Sequence, residues 1–435
     1  LGLVKNFTIS AADGNDSVDT GTGITNSTVY LGRGNDIIEG TGPSISSLIQ
    51  SASGSNVFDL FDILSSSVVG GTGVDIIDLQ TVSNSLIAAG AGNDSIYVGN
   101  GRDTSPFTGG SVTSSTIFSG AGDDSVVAGS LSNSYIQSAS GVNTFTATTL
   151  STSSLIGGTG ADSLTATILS AKSLIAAGDG KDTITVTGLE NSTIFAGAGD
   201  DKVTASGKLV NSLIQSGSGT NVFTINSTSV DSKNLTVIGG TGADSINAAK
   251  STAGGILING GAGKDTITGG AGADTITGGV GADLLTGGTG ADTFVFATGD
   301  SLKATTVASS VATFGDGVDV ITGFNTVQKD SINFSVTALN ETQNGGLGAN
   351  AAFVGSGDKI NLLNSFGTAT ALKAGINRVY VAGTWNGTTF QNAAGAPKDF
   401  MVFDVTLVGP VAANSVVDIT SQFKTAEALI LDTVA

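Results

Sequence analysis

Between residues 260 and 296 the large apolar side chains keep a fixed distance from a carboxylate. Ile267, Ile276, Leu285 and Phe294 each stand two positions after Asp265, Asp274, Asp283 and Asp292. Each nine-residue unit reads G-G-x-G-x-D-x-U-x, with U large and apolar. The six residues up to the Asp predict a turn, because glycine reaches backbone conformations that other residues avoid. The last three predict a short strand whose U side chain points inward while its neighbours point outward. Two units close one coil, and coils stack at about 4.8 Å, the spacing of paired strands. The pattern predicts an all-β fold, a right-handed parallel β-roll or β-helix solenoid.

Upstream, to about residue 258, the same turn returns at roughly double the step. Its acidic position is held by Asp16, Asp36, Asp75, Asp94, Asp124, Asp162, Asp182, Asp201 and Asp244, and by Asn56, Asn143 and Asn221. One coil is thus two short strands with only one G-x-G-x-D turn. The other turn is a plain one, as in VSNSLI, LSNSYI and LVNSLI, built from residues that favour turns. In the coil from 162 to 182, Leu164, Ile168 and Ile175 are the predicted core positions. Ladders of Asp are expected along one edge here, and along both edges where the nonapeptides run contiguously. One step, from Asp94 to Asp124, is longer and predicts an inserted loop over 101–111, centred on Arg102 to Phe107.

A slower period overlies the first. SLIQSASGSNVF (47–58), SYIQSASGVNTF (134–145) and SLIQSGSGTNVF (212–223) are near copies that recur every fourth coil. Each exchanges the turn Asp for Asn and carries Phe58, Phe145 or Phe223 at the U position. Two readings stand: a pause in whatever the Asp column binds, offset by a buried ring worth about 2 kcal/mol, or drift after duplication.

After Phe296 the pattern breaks. We expect three regions: 1–258, a solenoid of longer coils with a four-coil super-repeat; 259–296, the contiguous nonapeptides; and 297–435, a β-rich cap. The last region holds GDGVD at 315–319, with Asp319 isolated from the other turns. Strand candidates follow at 377–385, 399–409 and 415–423, and FKTAEALILDTVA reads as a short helix or strand. A solenoid needs such a cap to shield its last coil.

Stacking sets the chemistry. Carboxylates one coil apart repel by roughly 3 kcal/mol at an effective dielectric of 20, so a column of them requires cations. Calcium suits the gap: it is a hard ion that takes six to eight oxygens, and glycine turns offer backbone carbonyls beside each carboxylate. The net charge of −19, from 36 acidic and 17 basic residues, points the same way and makes nucleic acid a poor partner. The chain has no cysteine and no histidine, which removes disulfides, zincin motifs and His-based catalytic triads from it. No apolar run approaches the ~20 residues of a membrane-spanning helix. LGLVKNFTIS lacks the features of a signal peptide, and the opening reads as the middle of an array, as in a fragment or a processed form.

Four consecutive full nonapeptides resemble the RTX (repeats-in-toxin) calcium-binding family, and DVITGFNTVQKDSINFS (319–335) is similar to the segment that follows such repeats. The metal-site candidates are Asp36, Asp75, Asp94, Asp124, Asp162, Asp182, Asp201 and Asp244 upstream, then Asp265, Asp274, Asp283 and Asp292. Carbonyls of Gly261, Gly263, Gly270, Gly272, Gly279, Gly281, Gly288 and Gly290 are expected to complete their shells with several Ca2+ ions. The resemblance implies type I secretion, with 297–435 including the uncleaved signal, and an extracellular, cell-surface location. It is most like calcium-dependent bacterial surface-layer proteins, which implies a structural role without catalysis. The implied partners are further copies, as a homo-oligomer or two-dimensional lattice, and a cell-surface anchor upstream or of non-protein nature. An adhesin or filament stalk, or the repeat portion of a secreted enzyme, are the alternatives.

Overall fold

The computed structural model describes residues 2–99, 109–252, 254–297, 300, 306–308, 311–313, 318–324, 328–334, 350–354, 359–362, 375–386, 389–392, 399–407, 416–418 and 428–432. All regular elements among them are β-strands, and no helix there is long and apolar enough to cross a membrane. The chain forms two compact units, Leu1–Thr224 and Ile225–Ala435.

The first unit is a parallel β-solenoid. Each coil contributes two strands, as in Thr183–Glu190 and Thr193–Ala198, and each strand pairs in parallel with its counterpart one coil on. Because the register step equals the sequence repeat, like residues stack on like. Ile87, Ile117, Ile136, Leu155, Ile175 and Ile194 form one inward row. Ile77, Ile96, Val126, Phe145, Leu164 and Ile184 form the facing one. None of these is more than 1 % exposed. Burial at a rate of roughly 25 cal/mol per Å² makes the two rows the main apolar source of stability.

Alternation fails at one point per coil. The strand Ser163–Ser170 buries Leu164, Ala166 and Leu169, with two outward residues between the last two. Ile168, expected in the core, is 43 % exposed and Leu169 takes its place. The chain turns a corner here, which costs one step of the two-residue period.

The plain turn has a fixed construction. Its central residue is left-handed: Asn84 at φ 50°, Asn133 at 50°, Asn191 at 49°, Asn211 at 48°, a conformation Asn tolerates better than most residues. The next residue is a buried serine. Ser66, Ser85, Ser115, Ser134, Ser153, Ser173, Ser192 and Ser212 form a ladder in which each backbone N–H donates to the hydroxyl one coil on, at 3.0–3.2 Å. Each hydroxyl in turn donates to a nearby carbonyl, as from Ser134 Oγ to Ser132 O at 2.8 Å. A turn that reads as merely permissive in sequence is a continuous hydrogen-bonded spine.

The 30-residue step leaves the stack intact. Ile87 pairs with Ile117 in the usual register, while Gly99 and Gly109 bridge in antiparallel fashion at the base of the insertion. Most of the predicted loop, including Arg102 to Phe107, lies outside the described residues.

In the second unit the step falls to 18 and both turns of a coil become nonapeptides. Ile258, Ile276 and Phe294 stack on one side, and Ile267 and Leu285 on the other. One further coil follows, with Asp319–Thr322 on Leu284–Thr286 and Ser331–Phe334 on Thr293–Phe296. Ala428–Asp432, within the segment read as helix or strand, is a strand that adds in parallel to Asp319–Thr322. Its other side pairs with Asp399–Leu407 in antiparallel fashion, and Gly375–Trp385 follows antiparallel again. Direction reverses there, and the Asp319–Thr322 side of the last coil is covered.

Thr152 occupies the left-handed plain-turn position at φ 52°, where a β-branched residue is strained. Thr152→Asn is expected to stabilise the calcium-loaded protein by about 1 kcal/mol, read from denaturant midpoints; an unchanged or lowered midpoint contradicts this account of the turn.

Candidate metal centre

The Asp-bearing turns stack as tightly as backbone allows. Gly290 (φ 134°) is placed so that any Cβ would overlap the carbonyl of Gly272, and Gly279 and Gly281 stand likewise over Gly261 and Gly263. Gly288 stands over Gly270 in the same way. Only glycine fits both the dihedral and the contact.

This stacking aligns the carboxylates. In the first unit the Oδ1 of each turn residue accepts the backbone N–H of its counterpart one coil earlier. The chain of acceptance runs from Asp16 N–H to Asp36, Asp36 to Asn56, Asn56 to Asp75, Asp75 to Asp94 and Asp94 to Asp124, at 2.8–3.0 Å. It continues through Asn143, Asp162, Asp182, Asp201 and Asn221 at 2.7–3.1 Å. In the second unit one column holds Asp244, Asp265, Asp283 and Asp319. The opposite edge holds Asp274, Asp292 and Asp330. Asp319, isolated in sequence, is stacked on Asp283 at 2.8 Å because its strand Asp319–Thr322 adds in parallel to Leu284–Thr286. Asp330 occupies the same place on the other edge.

The second carboxylate oxygen carries the chemistry. Oδ2 of Asp36, Asp75, Asp94, Asp162, Asp182, Asp265, Asp283 and Asp292 is buried and has no hydrogen-bond partner. A buried acceptor without a donor costs about 1–3 kcal/mol, more when charged. Beside it lie more acceptors. A Cβ added at Gly157 would meet Asp162 Oδ2 and the carbonyl of Ala177 one coil on. Gly239 faces Asp244 Oδ2 and the Gly260 carbonyl in the same way, and Gly260 faces Asp265 Oδ2 and the Gly278 carbonyl. Each of these three openings therefore brings a carboxylate oxygen and a backbone carbonyl oxygen together. Two of the predicted Asp residues differ: Asp274 Oδ2 accepts the Gly270 N–H at 2.8 Å and Asp201 Oδ2 accepts Ser216 Oγ at 3.3 Å. No three carboxylates converge among the described residues, so backbone carbonyls must supply most of any shell. The first residue of each turn, such as Gly278 or Ala177, was missed in sequence; its nearness to the carboxylate of the preceding coil depends on a register that the repeat alone does not display.

This donor set fits calcium: hard oxygens, carboxylate plus carbonyl, in a flexible backbone cradle. Electrostatics agree. Burial pushes Asp94, Asp182 and Asp283 up to about 7, helped by neighbouring carboxylates: Asp75 and Asp124 for Asp94, Asp201 and Asp162 for Asp182, Asp265 and Asp300 for Asp283. Burial likewise raises Asp265 and Asp292 to about 6. Burial also raises Asp75, Asp124, Asp162, Asp201 and Asp274. Such groups resist ionisation until a cation arrives.

Raised carboxylates contribute stability to the metal-free fold that is fully present below their unfolded pKa of about 3.9 and lost as pH climbs through about 6 to 7. With chelator present, the strand signal in circular dichroism is expected to melt at a higher temperature at pH 5 than at pH 8. The calcium concentration for half-maximal folding should fall between pH 6 and pH 8, as protons cease to compete. Equal metal-free midpoints at pH 5 and pH 8 contradict this.

Compared with known proteins, the chain matches the family model of the RTX calcium-binding nonapeptide repeat in four copies, over residues 82–104, 177–207 and 259–294. No curated protein matches it, and no solved structure does. The third matched segment contains Asp265 and Asp283 of one column and Asp274 and Asp292 of the other, and the first two contain turns of the upstream column. The chain carries the RTX calcium-binding repeat, and its four copies imply several Ca2+ ions.

Proposed function

We propose that this chain is an extracellular structural protein, a calcium-dependent, self-assembling component of a bacterial surface layer. The observation that carries the reading is the series of buried, donor-free carboxylate oxygens along the solenoid edges, here taken as the calcium ligands together with the carbonyls of their turns. Such a stack is unfavourable without metal and stable with it. Where calcium is scarce, as inside a cell, the metal-free stack is weak at neutral pH and opens readily enough for type I export. Outside, near-millimolar calcium, the range typical of extracellular modules, supplies folding energy and makes export one-way.

In this reading residues 1–258 are the structural array, 259–296 the tightest calcium roll, and 297–435 the cap and secretion region. A matched family made only of calcium-binding repeats and a sequence without histidine or cysteine support a role without catalysis. Tyr30, Phe118 and Phe195, each at least 40 % exposed, recur on the outward side of the strands after the plain turns, which supports contact with further copies.

Electron microscopy of the purified chain with calcium and with chelator tests this. Ordered sheets that dissolve on chelation are expected. Fibres point to a filament or adhesin stalk instead, and monomers in calcium to a module of a larger secreted protein.

A further inference from the structure

The three asparagine turns have the geometry of a filled site. Asn56, Asn143 and Asn221 keep the hydrogen bond of an Asp turn, since Oδ1 accepts the N–H of Asp36, Asp124 or Asp201 one coil earlier, at 3.0–3.1 Å. This fixes which way each amide faces, because a flipped amide would set NH2 against that N–H. The other side-chain atom then points where the orphaned Oδ2 points in Asp turns, and here it is a donor. Asn56 Nδ2 donates to Gly54 O at 3.0 Å and to Asp75 Oδ1 at 2.8 Å, with Gly70 O at 3.5 Å. Asn143 Nδ2 repeats the set with Gly141 O at 3.1 Å, Asp162 Oδ1 at 2.9 Å and Gly157 O at 3.4 Å. Asn221 Nδ2 donates to Gly219 O at 3.3 Å. The acceptors are a turn carbonyl, the next coil's carboxylate and the next coil's first turn carbonyl, the same oxygens that line an Asp cradle.

A second donor sits in the same coils. Ser51, Ser138 and Ser216, at the first turn position, donate Oγ to the carbonyls of Gly32, Gly120 and Gly197 in the preceding coil at 3.1–3.2 Å. All three coils also bury a phenyl ring, Phe58, Phe145 or Phe223, at no more than 1 % exposure.

We propose that Asn56, Asn143 and Asn221 supply their own substitute for the ion: the amide nitrogen takes the cation's place, these coils bind no calcium, and the metal column is divided into blocks of three Asp coils, Asp75–Asp94–Asp124 and Asp162–Asp182–Asp201. Calcium within its usual 2.3–2.6 Å of those oxygens would meet the amide hydrogens, which carry the wrong charge for it. The three coils are therefore joints that hold their shape without metal. This rests on the reading of the Asp turns as calcium ligands.

The test counts ions and measures metal-free stability in the full chain. Equilibrium dialysis with metal analysis is expected to find about one more calcium per chain in Asn143→Asp, and about two more when Asn56→Asp is added. The melting midpoint of strand structure in chelator should fall in the same variants. Asp182→Asn, whose amide replaces one donor-free carboxylate oxygen, should bind about one calcium fewer and melt at a higher temperature in chelator. Unchanged stoichiometry in folded Asn143→Asp, or an Asp182→Asn protein no more stable than the parent in chelator, overturns the proposal. A parent chain that binds no calcium overturns the ligand reading itself, and a parent that binds while the substitutions add and remove nothing overturns only the joints.

Discussion

Parallel stacking at one coil per strand spacing imposes its own electrostatic problem. Identical residues fall on top of one another, so an Asp in the repeat becomes a line of Asp in space. Backbone N–H groups satisfy one oxygen of each carboxylate, as from Asp94 to Asp124, and leave the second facing carbonyls. Hydrophobic rows such as Ile87 to Ile194 hold the coils together, but they also hold those oxygens at a distance where like charges repel. Three remedies appear along the edges: protonation, which the raised carboxylates favour; a metal ion, which the cradles fit; and an amide or hydroxyl from the chain itself.

The opposite edge meets the same geometric demand with neutral chemistry. Serine can donate and accept at once, so the Ser85 to Ser212 ladder closes every bond from within. In the first unit one edge is therefore complete in the protein alone, while the other keeps buried carboxylate oxygens without a donor.

Much of this was legible in the chain. The nonapeptide fixes turn, strand and inward residue together, because glycine and Asp positions cannot move without losing the stack. The buried phenyl rings at 58, 145 and 223 followed from the U position. What escaped was information carried by register or by corners. Ile168 faces solvent because the strand bends where strict alternation predicts burial. Asp319 joins its column because Asp319–Thr322 pairs with Leu284–Thr286, a long-range pairing that no repeat spacing displays. The serine ladder was written plainly in VSNSLI and its relatives, but a repeated Ser beside a left-handed Asn reads as turn chemistry until the neighbouring coil supplies its partner. The orientation of the asparagine amides needed the hydrogen bond from the coil before.

The bridge between Gly99 and Gly109 carries a practical consequence. The polypeptide leaves the stack and rejoins it at one point, with the coil register undisturbed on either side. Loop-closure entropy grows only with the logarithm of length, so a much longer segment tethered there adds little strain to the solenoid. The position is a natural socket: foreign sequence grafted between those two glycines would leave the pairing of the flanking coils as it is.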